Sequence, residues 1–189
     1  LIPVILITGL IILGVFLYNQ DASKTEKSAD SQIKIGIILG FTGPIESLAP
    51  VMAKSAELAI DEVNKSGNFM DGAQLKAVRA DSTCVDAAAA QAAAERLITS
   101  DKVSAIMGAD CSGVTTAVLK NVAMPNGILM ISPSATSPAL STEPDNDLFF
   151  RTAPSDARQG EVIADLLMEK GFKTAALTPV SYTHLRAHE

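Results

Sequence analysis

Hydrophobic and polar positions follow two alternating patterns along most of this chain. Short runs of consecutive apolar residues, typical of buried strands, are each followed by a stretch whose apolar residues recur at helical spacing. Alternating strands and helices form a parallel sheet covered on both faces. The pattern therefore predicts an α/β fold with a doubly wound parallel sheet. Its strands are predicted at 33–39, 75–80, 103–108, 128–132, 148–152 and 174–180.

Capping residues set the predicted helix ends. A hydroxyl or carboxylate side chain caps the free amides of a helix start, and glycine commonly ends a helix. Ser137 is followed by Pro138, which suits the first helical position. Helix starts are predicted at Asp86, Ser112, Ser137 and Ser155, and helix ends at Gly67 and Gly171.

The first 18 residues carry no charge and are just long enough to span a bilayer. They predict a signal peptide or a membrane anchor, with the folded part outside the cytoplasm. Residues 19–32 are polar and without apolar periodicity, as in a linker. A basic segment would normally precede such a run, and the chain opens on Leu1, so we expect the true start to lie upstream.

Residues 181–189 break the pattern and contain both histidines, His184 and His188. These are four residues apart, but no further histidine supports a zinc site. The segment resembles translated adapter or vector sequence, and we expect a non-native tail. The native chain is then expected to continue past about residue 180, which makes the sequence a fragment.

Composition excludes one large class of partner. The formal net charge is −6, tryptophan is absent, and no basic stripe occurs, which argues against binding to nucleic acid. The loop at 40–44 matches neither a dinucleotide nor a phosphate-loop pattern. We therefore expect no cofactor and no metal.

Ligands of such sheets bind at the carboxyl ends of strands, beside the reversal of strand order. The loops to consider are 40–49, 81–86, 108–113 and 132–138. The last of these contains Ser134, Ala135 and Thr136, whose amides and hydroxyls suit a carboxylate, and Ser112 lies on the neighbouring loop. The alternative for each is an ordinary helix cap. As a nucleophile, Ser112 lacks both the G-x-S-x-G frame and a partner histidine, so we expect no enzyme.

Cys84 and Cys111 are the only cysteines, and each follows a predicted strand. In an exported protein such a pair indicates a disulfide. The alternative, a reactive or metal-binding thiol, would need a nearby histidine, and none occurs outside the tail. Asp81, at the end of the second strand, is expected to be structural and to orient its neighbouring loop. Asp110 is either a ligand contact or a solvated acid.

Five segments in order resemble one known family: IKIGIILGFTGP, ADSTC, GADCSG, ILMISPSATSPAL and LFFRTAPSDARQG. They are similar to the substrate-binding proteins of branched-chain amino acid ABC transporters, of the type I periplasmic binding protein class. That fold has two α/β lobes that close on a ligand. The resemblance covers about 33–180. It implies a first ligand-binding lobe at 33–152, the start of the crossover at 153–180, and a missing second lobe.

The resemblance also assigns residues. It implies a Cys84–Cys111 disulfide, a carboxylate contact at Ser112, and ligand contacts from Ser134, Ala135 and Thr136. Leu48 stands where the leucine-type binders have an aromatic residue over the ligand. Asp110 stands where an apolar contact is usual, which makes a more polar ligand conceivable.

The function implied is capture of an amino acid or similar small carboxylate, as a monomer that delivers it to a membrane permease. The alternative is a receptor ectodomain with the same fold, which feeds a sensor.

Overall fold

The computed structural model describes residues 32–176. They form a five-stranded parallel sheet in the order β2-β1-β3-β4-β5. The predicted α/β doubly wound fold is confirmed, and strand order reverses at β1, which lies between β2 and β3. The strands are β1 (Gln32–Leu39), β2 (Gln74–Asp81), β3 (Ala105–Gly108), β4 (Leu129–Ser132) and β5 (Phe149–Arg151).

Within residues 32–176, four α-helices connect or follow the strands: α1 (Ala49–Ser66), α2 (Ala87–Thr99), α3 (Ser112–Val118) and α4 (Asp156–Glu169). Helix α3 continues as a π-helical turn over Leu119–Ala123 and a 3₁₀ turn over Met124–Asn126. Three predicted ends are confirmed. Gly67 ends α1 in the left-handed conformation that glycine adopts without steric cost, and Asp86 and Ser155 cap α2 and α4 through their side chains.

The sheet separates two hydrophobic clusters. On one face, Ile37 and Leu39 of β1 pack against Ala49 and Ala53 of α1. On the other face, apolar residues of α2 and α3 cover Ile38 and its neighbours in β3, β4 and β5. Helix α4 has no buried residue among those described. The core therefore lies between the sheet and the first three helices.

Two predicted helix starts need correction. Ser112 does not cap α3, because Cys111 occupies the N-cap position and Ser112 is the first helical residue. The start at Ser137 is real, since its side chain accepts from the Ala139 amide, but only a 3₁₀ helix follows, at Pro138–Ser141. Short side chains and proline favour a turn there without providing an apolar face that would extend a helix.

Several expectations fall on residues that the structure does not describe. The segments 1–18, 19–31 and 181–189, and most of the sixth predicted strand at 174–180, lie outside the described residues. No strand is assigned at 174–176. Between residues 32 and 176, no helix has both the length and the apolar character that a membrane crossing needs.

Candidate functional site

A cleft of about 420 Å³ opens at the carboxyl ends of the strands. It lies beside the reversal of strand order, which is where such sheets bind ligands. Three of the four predicted loops, those after β1, β3 and β4, contribute to its lining, and the loop after β2 does not. The lining residues are Ile45, Leu48, Val51, Met52, Asp110, Cys111, Ser112, Ser134 and Thr136.

One wall of the cleft is apolar. Leu48 is the N-cap residue of α1, where it makes no side-chain capping bond, and 59% of its surface is exposed. Val51, one turn further along α1, is also exposed. When a ligand covers large apolar side chains that are exposed at a concave surface, the free energy falls because apolar surface leaves water. This wall therefore suits an apolar part of a ligand.

The Ser112 hydroxyl lies between the loops after β3 and β4. Its Oγ accepts a hydrogen bond from the Ser137 amide at 3.1 Å, which leaves its proton free to donate. The first helical bond of α3 runs from the Thr115 amide to the Cys111 carbonyl, so the amides of Ser112 and Gly113 precede it. This side of the cleft presents hydrogen-bond donors, which suit a carboxylate.

The hydroxyls of Ser134 and Thr136 have the opposite polarity. Ser134 Oγ donates to the Asp110 carbonyl at 2.9 Å, and Thr136 Oγ1 donates to an Asp156 carboxylate oxygen at 3.0 Å. A hydroxyl has a single proton, so both oxygens offer only lone pairs to the cleft. This side of the cleft suits a cation such as an ammonium group.

Ala135 is fully buried and its amide is already used. It donates to Ser132 Oγ at 2.9 Å, and the Ala135 carbonyl accepts from Arg151 at 3.2 Å. The amide of Ser134 also lies within 3.4 Å of Ser132 Oγ. Ala135 thus fixes the shape of the loop and is not among the residues that line the cleft, and its role as a ligand contact stays a prediction.

Two residues that hold this loop in place were not predicted from the sequence. Ser132 is fully buried and its Oγ donates to the Ala109 carbonyl at 2.5 Å, which ties the loops after β3 and β4 together. The Arg151 guanidinium binds the Ser137 carbonyl at 2.8 Å and the Ser141 hydroxyl. In the sequence, the one indication of Ser132 and Arg151 is that each is a polar residue at the end of an apolar run.

Asp110 is a buried structural acid, with 3% of its surface exposed, so its interpretation as a solvated acid is wrong. Its carboxylate accepts from the Gly40 amide at 2.7 Å, the Cys111 amide at 3.0 Å and the Ser82 hydroxyl at 3.3 Å. Buried charge is stable only when it is bonded in this way. Because both oxygens are engaged, Asp110 is a weak basis for expecting a polar ligand.

The disulfide between Cys84 and Cys111 is present, with 5.2 Å between the two Cα atoms. It links the loop after β2 to the loop that carries Ser112. The loop after β2 is therefore tied to the lining residue Cys111 by this bond, although the loop itself does not line the cleft.

Asp81 orients the neighbouring loops, as expected. Its carboxylate accepts from Thr42 Oγ1 at 2.6 Å and from the Thr83 amide at 2.8 Å. Burial is the largest single influence on the pKa of Asp81 and raises it, but the bonds from Thr42, Thr83 and Phe41 together outweigh burial and lower the pKa.

Glycine at position 43 permits the close approach of this first loop. Gly43 has a φ of 95°, and a Cβ atom there would lie 2.5 Å from the Thr83 carbonyl oxygen. The glycines of the GFTGP segment therefore serve a tight loop contact.

A parallel sheet with a switch-point cleft of this kind, donors on one side and acceptors on the other, defines a small-molecule-binding lobe. The chain belongs to the periplasmic binding protein family, whose model matches residues 32–186. The expected resemblance to the substrate-binding proteins of branched-chain amino acid transporters is confirmed by the relatives below.

One relative is the leucine-, isoleucine-, valine-, threonine- and alanine-binding protein of Pseudomonas aeruginosa, 34% identical over 142 residues. The match covers 75% of this chain and 37% of that protein. A Leu/Ile/Val-binding protein of Escherichia coli is 31% identical over 138 residues, 73% of this chain and 36% of its own length. The chain thus spans little more than a third of these relatives.

The fold also matches solved structures. The substrate-binding protein of a branched-chain amino acid transporter from Streptococcus pneumoniae, solved in complex with isoleucine, has 35% identity and a TM-score of 0.66. The match covers 74% of this chain and 38% of that one.

Proposed function

We propose that this chain supplies the first lobe of an extracytoplasmic solute-binding protein, which captures an amino acid for an ABC transporter. The observation that carries the proposal is that hydrogen-bond donors and hydrogen-bond acceptors lie on different sides of the cleft. Donors at Ser112 and acceptors at Ser134 and Thr136 match the carboxylate and ammonium of a zwitterion, and the wall at Leu48 matches an apolar side chain.

The mechanism is binding with lobe closure and involves no bond chemistry. The first lobe would hold the carboxylate, and a second lobe would complete the cage around the ligand. A membrane permease would be the receiving partner, and the protein would act as a monomer outside the cytoplasm. The relatives are named as amino-acid-binding proteins of this kind, so the receptor alternative is not favoured.

Ligand-induced stabilisation tests this proposal on the protein encoded by the complete reading frame. Leucine, isoleucine, valine, threonine and alanine would be screened by thermal shift, together with small amides and carboxylates. A ligand that binds only the folded state stabilises that state by about 2.7 kcal/mol at a hundredfold excess over Kd, and the melting temperature rises as a result. Flat curves across the whole panel would refute the proposal.

Ser112→Ala tests the carboxylate contact. Loss of a hydrogen bond to a charged group should weaken amino acid binding by about 1.5–3 kcal/mol. The control is Ser104→Ala, because Ser104 is exposed and precedes β3, at the amino ends of the strands and away from the cleft. Calorimetric titration would give both affinities, and equal affinity of the two variants would return Ser112 to a purely structural role.

Leu48→Ala tests the apolar wall. Truncating a side chain that a ligand covers should cost about 1 kcal/mol of binding free energy for leucine, and less for alanine. Leu58→Ala is the matched control, since Leu58 lies on the same helix with similar exposure but outside the cleft. If both variants bind leucine as tightly as the unaltered protein does, the wall does not contact the ligand.

A further inference from the structure

Residues 136 and 156 are joined by two reciprocal hydrogen bonds. The Asp156 amide donates to the Thr136 carbonyl at 2.9 Å, and Thr136 Oγ1 donates to Asp156 Oδ2 at 3.0 Å. Thr136 lines the cleft, whereas Asp156 is the first residue of α4 and does not line it. The carboxylate thus reaches the cleft only through the threonine hydroxyl.

The Asp156 side chain is not needed to cap α4. Ser155 occupies the N-cap position, and its hydroxyl accepts from the Ala157 amide at 3.3 Å. The Asp156 carboxylate is therefore free for the bond to Thr136, and no basic side chain pairs with it among residues 32–176.

An ionised carboxylate can only accept a hydrogen bond, so the shared proton must belong to Thr136. With its proton directed toward Asp156, Thr136 Oγ1 faces the cleft with its lone pairs. In this state the oxygen accepts from a cation and repels an anionic oxygen. Without Asp156 the hydroxyl could rotate and donate to a carboxylate instead.

We infer that Asp156 is a positioning residue that orients the Thr136 hydroxyl and so makes the binding site selective for a ligand with an ammonium group. The inference rests on the proposed function, because it concerns the same cleft. It adds a specificity determinant at the start of α4 that does not contact the ligand.

The test compares leucine with 4-methylpentanoate, which has the same carboxylate and side chain but no amino group. Asp156→Ala should weaken leucine binding about 10-fold and change 4-methylpentanoate binding by less than about 2-fold. Asp165→Ala, which removes another exposed carboxylate of α4, should leave both affinities unchanged. Titration calorimetry of the complete protein supplies the numbers.

A cycle with Thr136→Val separates positioning from direct attraction. In that background Asp156→Ala should have no further effect on leucine binding, because the hydroxyl that it orients is gone. Thermal unfolding without ligand should show non-additivity of the same two substitutions, since the bond exists in the free protein.

Four results would overturn the inference. Equal weakening for both ligands would indicate a merely structural role, and a persistent 10-fold loss in the Thr136→Val background would indicate direct attraction. Additive unfolding effects would show that the bond does not form. If the unaltered protein binds neither leucine, isoleucine, valine, threonine or alanine nor the small amides and carboxylates of the panel, the proposed function fails and this inference fails with it.

Discussion

At the scale of single residues, two aspartates near the cleft have structural tasks that their sequence context distinguishes only in part. Asp81 ends its strand and accepts a hydrogen bond from the amide of Thr83, two residues further on, as the sequence predicts for an acid that orients the adjacent loop. Asp110 also follows a strand in the sequence, but tertiary contacts bury it. Its carboxylate accepts a hydrogen bond from the amide of Gly40, seventy residues away along the chain. No local pattern contains such a long-range partner.

Asp110→Asn should therefore destabilise the fold more than it changes ligand preference. The amide group keeps one acceptor oxygen but places an NH₂ group against the donors that the carboxylate served. We expect a loss of about 1–3 kcal/mol in the free energy of unfolding, measured by urea titration. A variant of unchanged stability whose preference shifts to apolar ligands would contradict the structural assignment.

Asp81 should contribute a pH-dependent part of the stability. Its pKa is lower in the folded protein than in the unfolded chain, so its contribution is present above the unfolded value of about 3.9 and lost as pH falls through the folded value. Urea unfolding between about pH 5 and pH 3 should show a shallower decline for Asp81→Asn than for the unaltered chain. Parallel curves would show that Asp81 titrates alike in both states.

At the scale of elements, the positions of the five strands and three of the helix ends were predictable because periodicity and capping are local properties. The error at Ser112 has a physical cause: a serine before a helical stretch can cap it or can start it, and the Cys111 backbone decides between the two. The contacts of Ser132 and Arg151 cross between loops and could not be predicted from local sequence.

The disulfide connects two elements and should stabilise them measurably. Its cysteines are 27 residues apart in sequence, and the chain-entropy model gives about 3.5 kcal/mol for a loop of that length. The double variant Cys84→Ala, Cys111→Ala should lose roughly that much in the free energy of unfolding. A reducing agent should destabilise the unaltered chain and leave the double variant unaffected; any effect on the double variant would contradict this origin.

At the scale of the whole molecule, one face of the sheet becomes more exposed toward its edge. Ile37, Met107, Ile131 and Phe150 lie in register in one row on the same face. Ile37 is fully buried under α1, whereas Ile131 is 40% and Phe150 51% exposed. The described residues thus form a complete core on one face of the sheet and a half-covered one on the other.

Neighbouring phenylalanines of β5 offer a matched test of this asymmetry. Phe149 faces the core with 8% exposure, so Phe149→Ala should cost about 3 kcal/mol or more of unfolding free energy. Phe150→Ala should cost about 1 kcal/mol or less and should reduce binding of a hydrophobic dye. Equal losses of unfolding free energy in urea titration would show that the face of the sheet that carries Phe150 is covered in solution.

The central claim is that the cleft binds an amino acid with its carboxylate at the start of α3. NMR titration of the ¹⁵N-labelled 189-residue chain tests it most directly, because even weak binding gives shift changes in fast exchange. With leucine, isoleucine, valine, threonine or alanine added, the account predicts changes at the amides of Ser112, Gly113 and Thr136, and none at Ser104. Unchanged spectra with all five amino acids, or changes confined to the opposite edge of the sheet, would contradict it.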